Sequence, residues 1–370
     1  MLRKIISTFA RHAAGRARLA LSSPLHKTML RNYKLAIEHE PPGFKSSHWS
    51  HFVPNFERFI LDETLWKTFR RNGITAGYDD SATTADKRHI RHIQASGQSR
   101  LGQVEALPEE VSDAQVRQGL IEWYQSLQQK FGREFVERAY DNRIGSPMHV
   151  SFDGKMLNVT DLDHLSFAWS IWELVASSTL PPNLVIVEIG GGYGGMACVL
   201  KRIFPEARII LLDLPEVTCT QTYYVSRSFP NTKIAHYEDL AAETAWNARS
   251  VDFDFAIVPG WCIERLQSQS VDLFVNIRSM QEMNWATIRY YFNHIHRTIA
   301  PDGIFYCANR YSKDTADVQP VILREYPFDD FWTPLLSAPI PRQKKIHQLI
   351  LKRTTEPNLT FRDLLRALPG

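Results

Sequence analysis

The sequence contains no apolar run near the roughly 18 residues that a membrane-crossing helix requires, so a soluble chain is expected. Its four cysteines, Cys198, Cys219, Cys262 and Cys307, lie far apart and form neither a CxxC nor a Cys/His ligand pair. A disulfide framework and a thiol-based zinc site are therefore not expected, and the reducing cytoplasm fits best. Repeats and low-complexity tracts are also missing. The formal net charge is only +3 over 370 residues, too little to argue for nucleic acid as a partner. One absence is local: from Met1 to Ile37 there are eight Lys or Arg residues and no acid, Glu38 being the first carboxylate.

That acid-free stretch reads as a basic helical extension over residues 1–40. Three roles fit it: a targeting segment, a peripheral helix offering cations to lipid phosphates at the inner face of a membrane, or a solvated helix packed on the protein itself or on a partner chain. Residues 41–160 read as a mainly helical region. Within Val111 to Tyr140, Leu120, Trp123, Tyr124, Leu127 and Phe131 form an apolar stripe at helical spacing. His89 and His92 stand at i,i+3, but Lys87, Arg88 and Arg91 around them oppose a metal ion and favour a solvated basic face.

Past Pro181 and Pro182 the texture changes. Leu184 to Ile189 is a near-continuous β-branched run ending in glycines, as a buried parallel strand should be. A helix from Met196 to Phe204 and a strand from Arg208 to Leu212 follow. Further strands are expected at Phe253 to Val258, Val271 to Ile277, Gly303 to Ala308 and Lys345 to Lys352, with a helix over Trp285 to Ile299. This alternation predicts an α/β domain over residues 161–355, a doubly wound parallel sheet with helices on both faces, followed by a tail over 356–370.

The stretch Glu188-Ile189-Gly190-Gly191-Gly192-Tyr193-Gly194-Gly195 joins a strand end to a helix start, where open α/β sheets bind ligands. Gly190, Gly192 and Gly195 fit GxGxxG, the dinucleotide spacing, while Gly190, Gly192 and Gly194 fit GxGxG. Glu188 favours the second. An unpaired carboxylate ending an apolar strand is costly, and an ammonium such as the methionine end of S-adenosylmethionine would justify it, whereas a pyrophosphate would be repelled. Asp213, followed by Leu214 at the end of the next strand, can accept from both ribose hydroxyls of either nucleoside. Glycines serving only tight helix–strand packing remain the plainer alternative.

The sequence resembles the sugar O-methyltransferases of bacterial surface-polysaccharide clusters. The resemblance is carried by Glu188 to Gly195, by Leu211 to Glu216 (LLDLPE) and by Val271 to Met283 (VDLFVNIRSMQEM). Tyr290 to Phe292, Gly303 to Arg310 and Tyr326-Pro327 extend it, so that it covers about residues 140–350. It implies a class I methyltransferase fold, whose sheet is mostly parallel with an antiparallel last strand, S-adenosyl-L-methionine as cofactor, with Glu188, Gly190, Gly191, Gly192, Tyr193, Gly194, Asp213, Leu214 and Asn276 around it, and a sugar or glycan as substrate.

Transfer of a methyl group to a hydroxyl needs alignment and a base. The segment after Val271 to Ile277 should lie beside the methyl group, and Glu282 is its one carboxylate and the preferred base. The plainer alternative makes Glu282 a helix-start residue or the capping partner of Ser279 at S-x-x-E spacing. His149 and His164 are the next candidates. Asp239, Asp252, Asp254 and Asp272 are too scattered to suggest a metal site, and metal-independent chemistry is expected. Trp261, Trp285, Trp332 and Tyr311 are aromatics that a sugar ring could stack on. Methylation of another small hydroxylated metabolite, or a catalytically silent scaffold of the same fold, are the competing functions.

Overall fold

The computed structural model describes residues 23–71, 110–140, 144–315 and 318–369. His89, His92 and the first half of the basic extension lie outside them.

The chain begins with a helix at Pro24–Glu38 (α1), capped by Ser23, whose hydroxyl accepts from the His26 amide at 3.2 Å. Its apolar face is spent on the protein: Met29, Leu30, Tyr33 and Ala36 are buried, and Arg31 on the outer side pairs with Glu238 at 3.0 Å. The second half of the basic extension is thus part of the body. Helices follow at Val53–Leu61 (α2), Ala114–Phe131 (α3) and Arg133–Ala139 (α4). The expected apolar stripe from Leu120 to Phe131 lies buried on α3, while the helical stretch expected across Val111 to Tyr140 breaks at Gly132, whose φ of 83° ends α3 and redirects the chain. A small hairpin, Val150–Phe152 (β1) with Lys155–Leu157 (β2), leads into Val159–Ala176 (α5).

The remaining elements are Val185–Ile189 (β3), Gly195–Ile203 (α6), Arg208–Asp213 (β4), Pro215–Ser228 (α7), Ile234–His236 (β5), Phe255–Pro259 (β6), Val271–Ile277 (β7), Trp285–Thr298 (α8), Ile299–Arg310 (β8), a hairpin of Ser312–Thr315 (β9) with Val318–Ile322 (β10), Trp332–Ile340 (β11), Gln343–Arg353 (β12) and Phe361–Arg366 (α9). Eight of these strands make one sheet in the order β11-β12-β8-β7-β3-β4-β6-β5. From β5 to β8 the pairing is parallel; β12 runs antiparallel to β8, and β11 antiparallel to β12. The expected antiparallel late strand is therefore present, inserted between β8 and a further edge strand.

Strand alternation divides the core in two. Ile186, Ile209 and Leu211 face one cluster, with the N-terminal helices, α5, α6 and α7. Val185, Val187, Ile189, Ile210 and Leu212 face the other, with α8 and α9. Glu188 shares the face of Ile186, under α6. From β3 the chain moves outward to β4 and β6, then returns to place β7 on the other side of β3. That reversal opens a crevice at the carboxyl ends of β3, β4 and β7, the usual ligand position in open α/β sheets. Sheet order, strand direction and flanking helices together are those of the class I methyltransferase fold.

Candidate cofactor and acceptor site

The glycine loop is shaped by what presses on it. Gly190 has φ 70°, and a Cβ there would collide with the hydroxyl of Ser279, which sits on it from the loop after β7. A Cβ on Gly191 would fall 2.8 Å from the Glu188 carboxyl carbon and 2.8 Å from a Leu211 methyl. The loop can therefore lie low over the strand ends only as glycine. Tyr193 turns inward; its hydroxyl donates to Asp161 at 3.3 Å and its ring receives the Arg70 guanidinium at 4.7 Å. Arg70 is fully buried and also donates to both oxygens of Asp161 and to the side-chain oxygen of Asn158. This cluster ties the N-terminal helices to the loop.

Glu188 is 3% exposed, and its Oε2 has no hydrogen-bond partner. Burial, with the Asp213 carboxylate adding to it, pushes Glu188 up to about 8, against the pull of the Ala197 amide at the start of α6. Asp213 still reaches solvent and accepts from the Gly192 amide at 3.1 Å, the Leu214 amide at 2.8 Å and the Gln221 side chain at 2.9 Å. Desolvation nevertheless raises it to about 7. Two carboxylates with raised affinity for protons, one with an orphaned oxygen, converge beside the glycine loop. This is a site short of positive charge, with one carboxylate oxygen unsatisfied, which suits an ammonium or sulfonium and a ribose diol. S-adenosylmethionine offers all three groups, so the residues present fit it.

Asn276 is fully buried and its amide is already engaged. It donates to the Ile189 carbonyl at 2.8 Å and accepts from the Asn309 amide at 2.8 Å and the Met280 backbone at 3.3 Å. Asn276 braces the ends of β3, β7 and β8 under the crevice.

Glu282 ends a short 3-10 turn after β7, and its carboxylate pairs with Lys313 on β9. The S-x-x-E cap does not form. Ser279 makes no side-chain cap bond, and α8 is instead capped by Asn284, whose side chain accepts from the Thr287 amide at 2.9 Å. His164 lies on α5 beside the loop, its ring 6.1 Å from that of Tyr193, and burial depresses it to about 3. Its Nδ1 is buried without a partner. His149 is placed elsewhere, next to β1, with Nδ1 against the Pro147 carbonyl at 3.1 Å and Nε2 3.9 Å from Glu110.

Asp239 accepts from the His236 amide, Asp252 pairs with Lys233, Asp254 with Lys201, and Asp272 with Arg249. Among the described residues no three His, Cys, Asp or Glu side chains converge to hold a metal.

What sequence reasoning missed is the strap that enters the crevice from residues 43–48. Lys45 reaches Glu216, just past Asp213, at 2.8 Å, and Ser46 donates to the Glu282 carbonyl at 2.9 Å. His48 follows, lowered by burial and by Lys313 and raised by Glu282, which puts a neutral imidazole near that carboxylate at pH 7. The strap's partners Glu216 and Glu282 lie 171 or more residues away, beyond any local pattern.

Residues 124–242 match the model of the O-methyltransferase domain family. Acetylserotonin O-methyltransferase 1 of Oryza sativa subsp. japonica is 34% identical over 67 residues, 18% of this chain and 18% of that protein, so the match spans under a fifth of the relative's length. Among solved structures, a geranyl diphosphate methyltransferase in complex with S-adenosylmethionine is 12% identical with a TM-score of 0.36, covering 53% of this chain and 88% of that one. Mitomycin 7-O-methyltransferase is 12% identical with a TM-score of 0.32, covering 64% and 67%.

Proposed function

We propose that this chain is an S-adenosylmethionine-dependent O-methyltransferase whose acceptor is a sugar hydroxyl, of a surface glycan or its nucleotide-linked precursor. The observation that carries the cofactor is the buried, unpartnered Oε2 of Glu188 beside Asp213. The family match at residues 124–242 supports transfer to oxygen.

When bound, S-adenosylmethionine supplies an electrophilic methyl group. Glu188 meets positive charge at the methionine end, Asp213 accepts from the ribose, and the low glycine loop excludes water from the strand ends. The acceptor hydroxyl needs its proton removed as the new bond forms. Glu282, at the carboxyl end of β7, receives it, with Lys313 holding the carboxylate in place and the strap covering it. Neutralising a base that acts only in the transition state lowers turnover without loosening the cofactor. Glu282→Gln is expected to lose roughly 10²–10⁴-fold in kcat with unchanged S-adenosylmethionine affinity; full activity in a folded variant transfers the role to His48 or His164.

The relative that methylates acetylserotonin favours a second reading, a phenolic or other hydroxylated metabolite as acceptor. Mass spectrometry of surface glycans from cells with and without the gene separates the two. Loss of one methyl mass per repeat supports the sugar, and identical glycans contradict it.

A further inference from the structure

Beside Glu282 lies a cavity of 340 Å³, within the roughly 300–1,000 Å³ of small-molecule sites. Its lining comes from three distant segments: Lys45, Ser46 and Ser47 of the strap, Asn284 and Trp285 at the start of α8, and Gln319 of β10. We infer that this cavity is the acceptor subsite and that it takes a neutral, polyhydroxylated ring, a hexose unit, stacked on Trp285.

The lining has the chemistry for such a ligand. It holds hydroxyls, carboxamides and an indole, and no carboxylate. The Lys45 ammonium is already matched by Glu216 at 2.8 Å and Glu40 at 3.4 Å, so the wall has no spare cation for a phosphate. A carboxamide, like a sugar hydroxyl, both gives and takes hydrogen bonds, and that of Gln319 lies exposed on this wall. Trp285 is half-buried; its Nε1 donates to the Pro320 carbonyl at 3.1 Å and its ring meets Tyr326 edge-on, with centroids 6.2 Å apart. The indole is thus pinned while part of it stays open, and the C–H face of a pyranose covers such a surface well.

The walls are also fixed in advance. Asn284 donates to the Gly43 carbonyl at 3.2 Å, and Thr287 donates to the Phe44 carbonyl at 2.9 Å. The Phe44 ring is wedged edge-on against Trp261 and Tyr291, at 5.4 and 5.9 Å. A ligand entering this cavity does not have to order the strap, which lowers the cost of binding. The link to chemistry is direct: Ser46 lines the cavity and donates to the Glu282 carbonyl, and Lys313, which pairs with the Glu282 carboxylate, belongs to the hairpin that carries Gln319. The inference rests on the methyl-transfer reading for what is done to the ring, not for its being bound.

The test is saturation-transfer NMR on the full chain with S-adenosylhomocysteine added, using methyl hexopyranosides as probes and catechol as the competing aromatic probe. Calorimetry with S-adenosylhomocysteine on the same samples reads the cofactor site separately. The expected result is transfer to the ring protons of at least one methyl hexoside, lost in Trp285→Ala. In Gln319→Leu, whose side chain is exposed and leaves the fold intact, it should be at least tenfold weaker. S-adenosylhomocysteine affinity should stay unchanged in both variants. Cofactor binding without hexoside transfer, transfer to catechol alone, or hexoside transfer untouched in both variants overturns the inference and leaves the methyltransferase reading standing. Hexoside transfer that depends on Trp285 without any cofactor binding upholds the inference and overturns that reading.

Discussion

Two buried carboxylates occupy neighbouring strands at opposite ends of the same sheet. Asp272, the second residue of β7, is 2% exposed and saturated: Arg249 meets both its oxygens at 2.6 Å and the Val185 amide donates at 2.8 Å. Glu188 lies near the end of β3, is 3% exposed, and leaves Oε2 without a partner. One end of the sheet is closed by its own charges, and the other holds a carboxyl group for which the protein supplies no counterion. Burying an unmatched carboxylate is expensive, so on the proposed reading the first carboxylate serves stability and the second serves a ligand.

The largest expected effect falls at the closed end. Arg249→Ala leaves Asp272 buried and unpaired and should cost about 3 kcal/mol of folding stability, the low end for a broken buried pair because the guanidinium is one-third exposed. Denaturant unfolding reads this, and S-adenosylmethionine affinity of the folded protein should not change. A cost below about 1 kcal/mol would place Asp272 with surface pairs and blunt the comparison.

The open end should instead respond to pH. Glu188 and Asp213, with folded values near 8 and 7, hold protons in the empty protein that the unfolded chain has already released. Their contribution to stability is therefore full below the ordinary carboxylate range and is lost as pH rises through about 8. Cofactor affinity has the opposite slope, since the cation needs the charged form: it should rise by up to about tenfold per pH unit between 6 and 8, then level off. Thermal unfolding with and without S-adenosylmethionine across that range checks both slopes, and a flat profile in each removes the ligand-directed role. Next in size, Asp213→Ala should weaken S-adenosylmethionine by about 1.5–3 kcal/mol, the range of charge-assisted hydrogen bonds, as measured by calorimetry.

Much of the sheet was legible because buried parallel strands are written as β-branched runs punctuated by glycine. The strand expected at Val271 to Ile277 has those bounds, and the helix expected at Trp285 to Ile299 ends one residue earlier, at Thr298. β11 was not legible. Its WTPLLSAPI sequence carries Pro334 and Pro339, which argue against a strand unless it lies at a sheet edge, where a missing donor costs little. The three-residue β5 is too short to show a period.

The placement of Glu188, the glycines and Asp213 at one crevice was readable for the same reason as the sheet, because they are contiguous with the strands that position them. The acceptor half was not. Lys45, Ser46 and His48 come from a segment whose partners, Glu216 and Glu282, are 171 and more residues away. The S-x-x-E spacing at Ser279 misdirects as well, since the real cap is Asn284.

The central claim is that the orphaned carboxylate of Glu188 exists for a cationic cofactor. Calorimetry at pH 8 on the wild-type protein and Glu188→Gln, with S-adenosylmethionine and NADH as ligands, tests it most directly. The wild type is expected to bind S-adenosylmethionine and not NADH. Glu188→Gln is expected to bind at least tenfold more weakly while unfolding at the same temperature or higher, because a neutral amide is cheaper to bury. Equal affinity in the variant, or micromolar NADH binding with no response to S-adenosylmethionine, would contradict it.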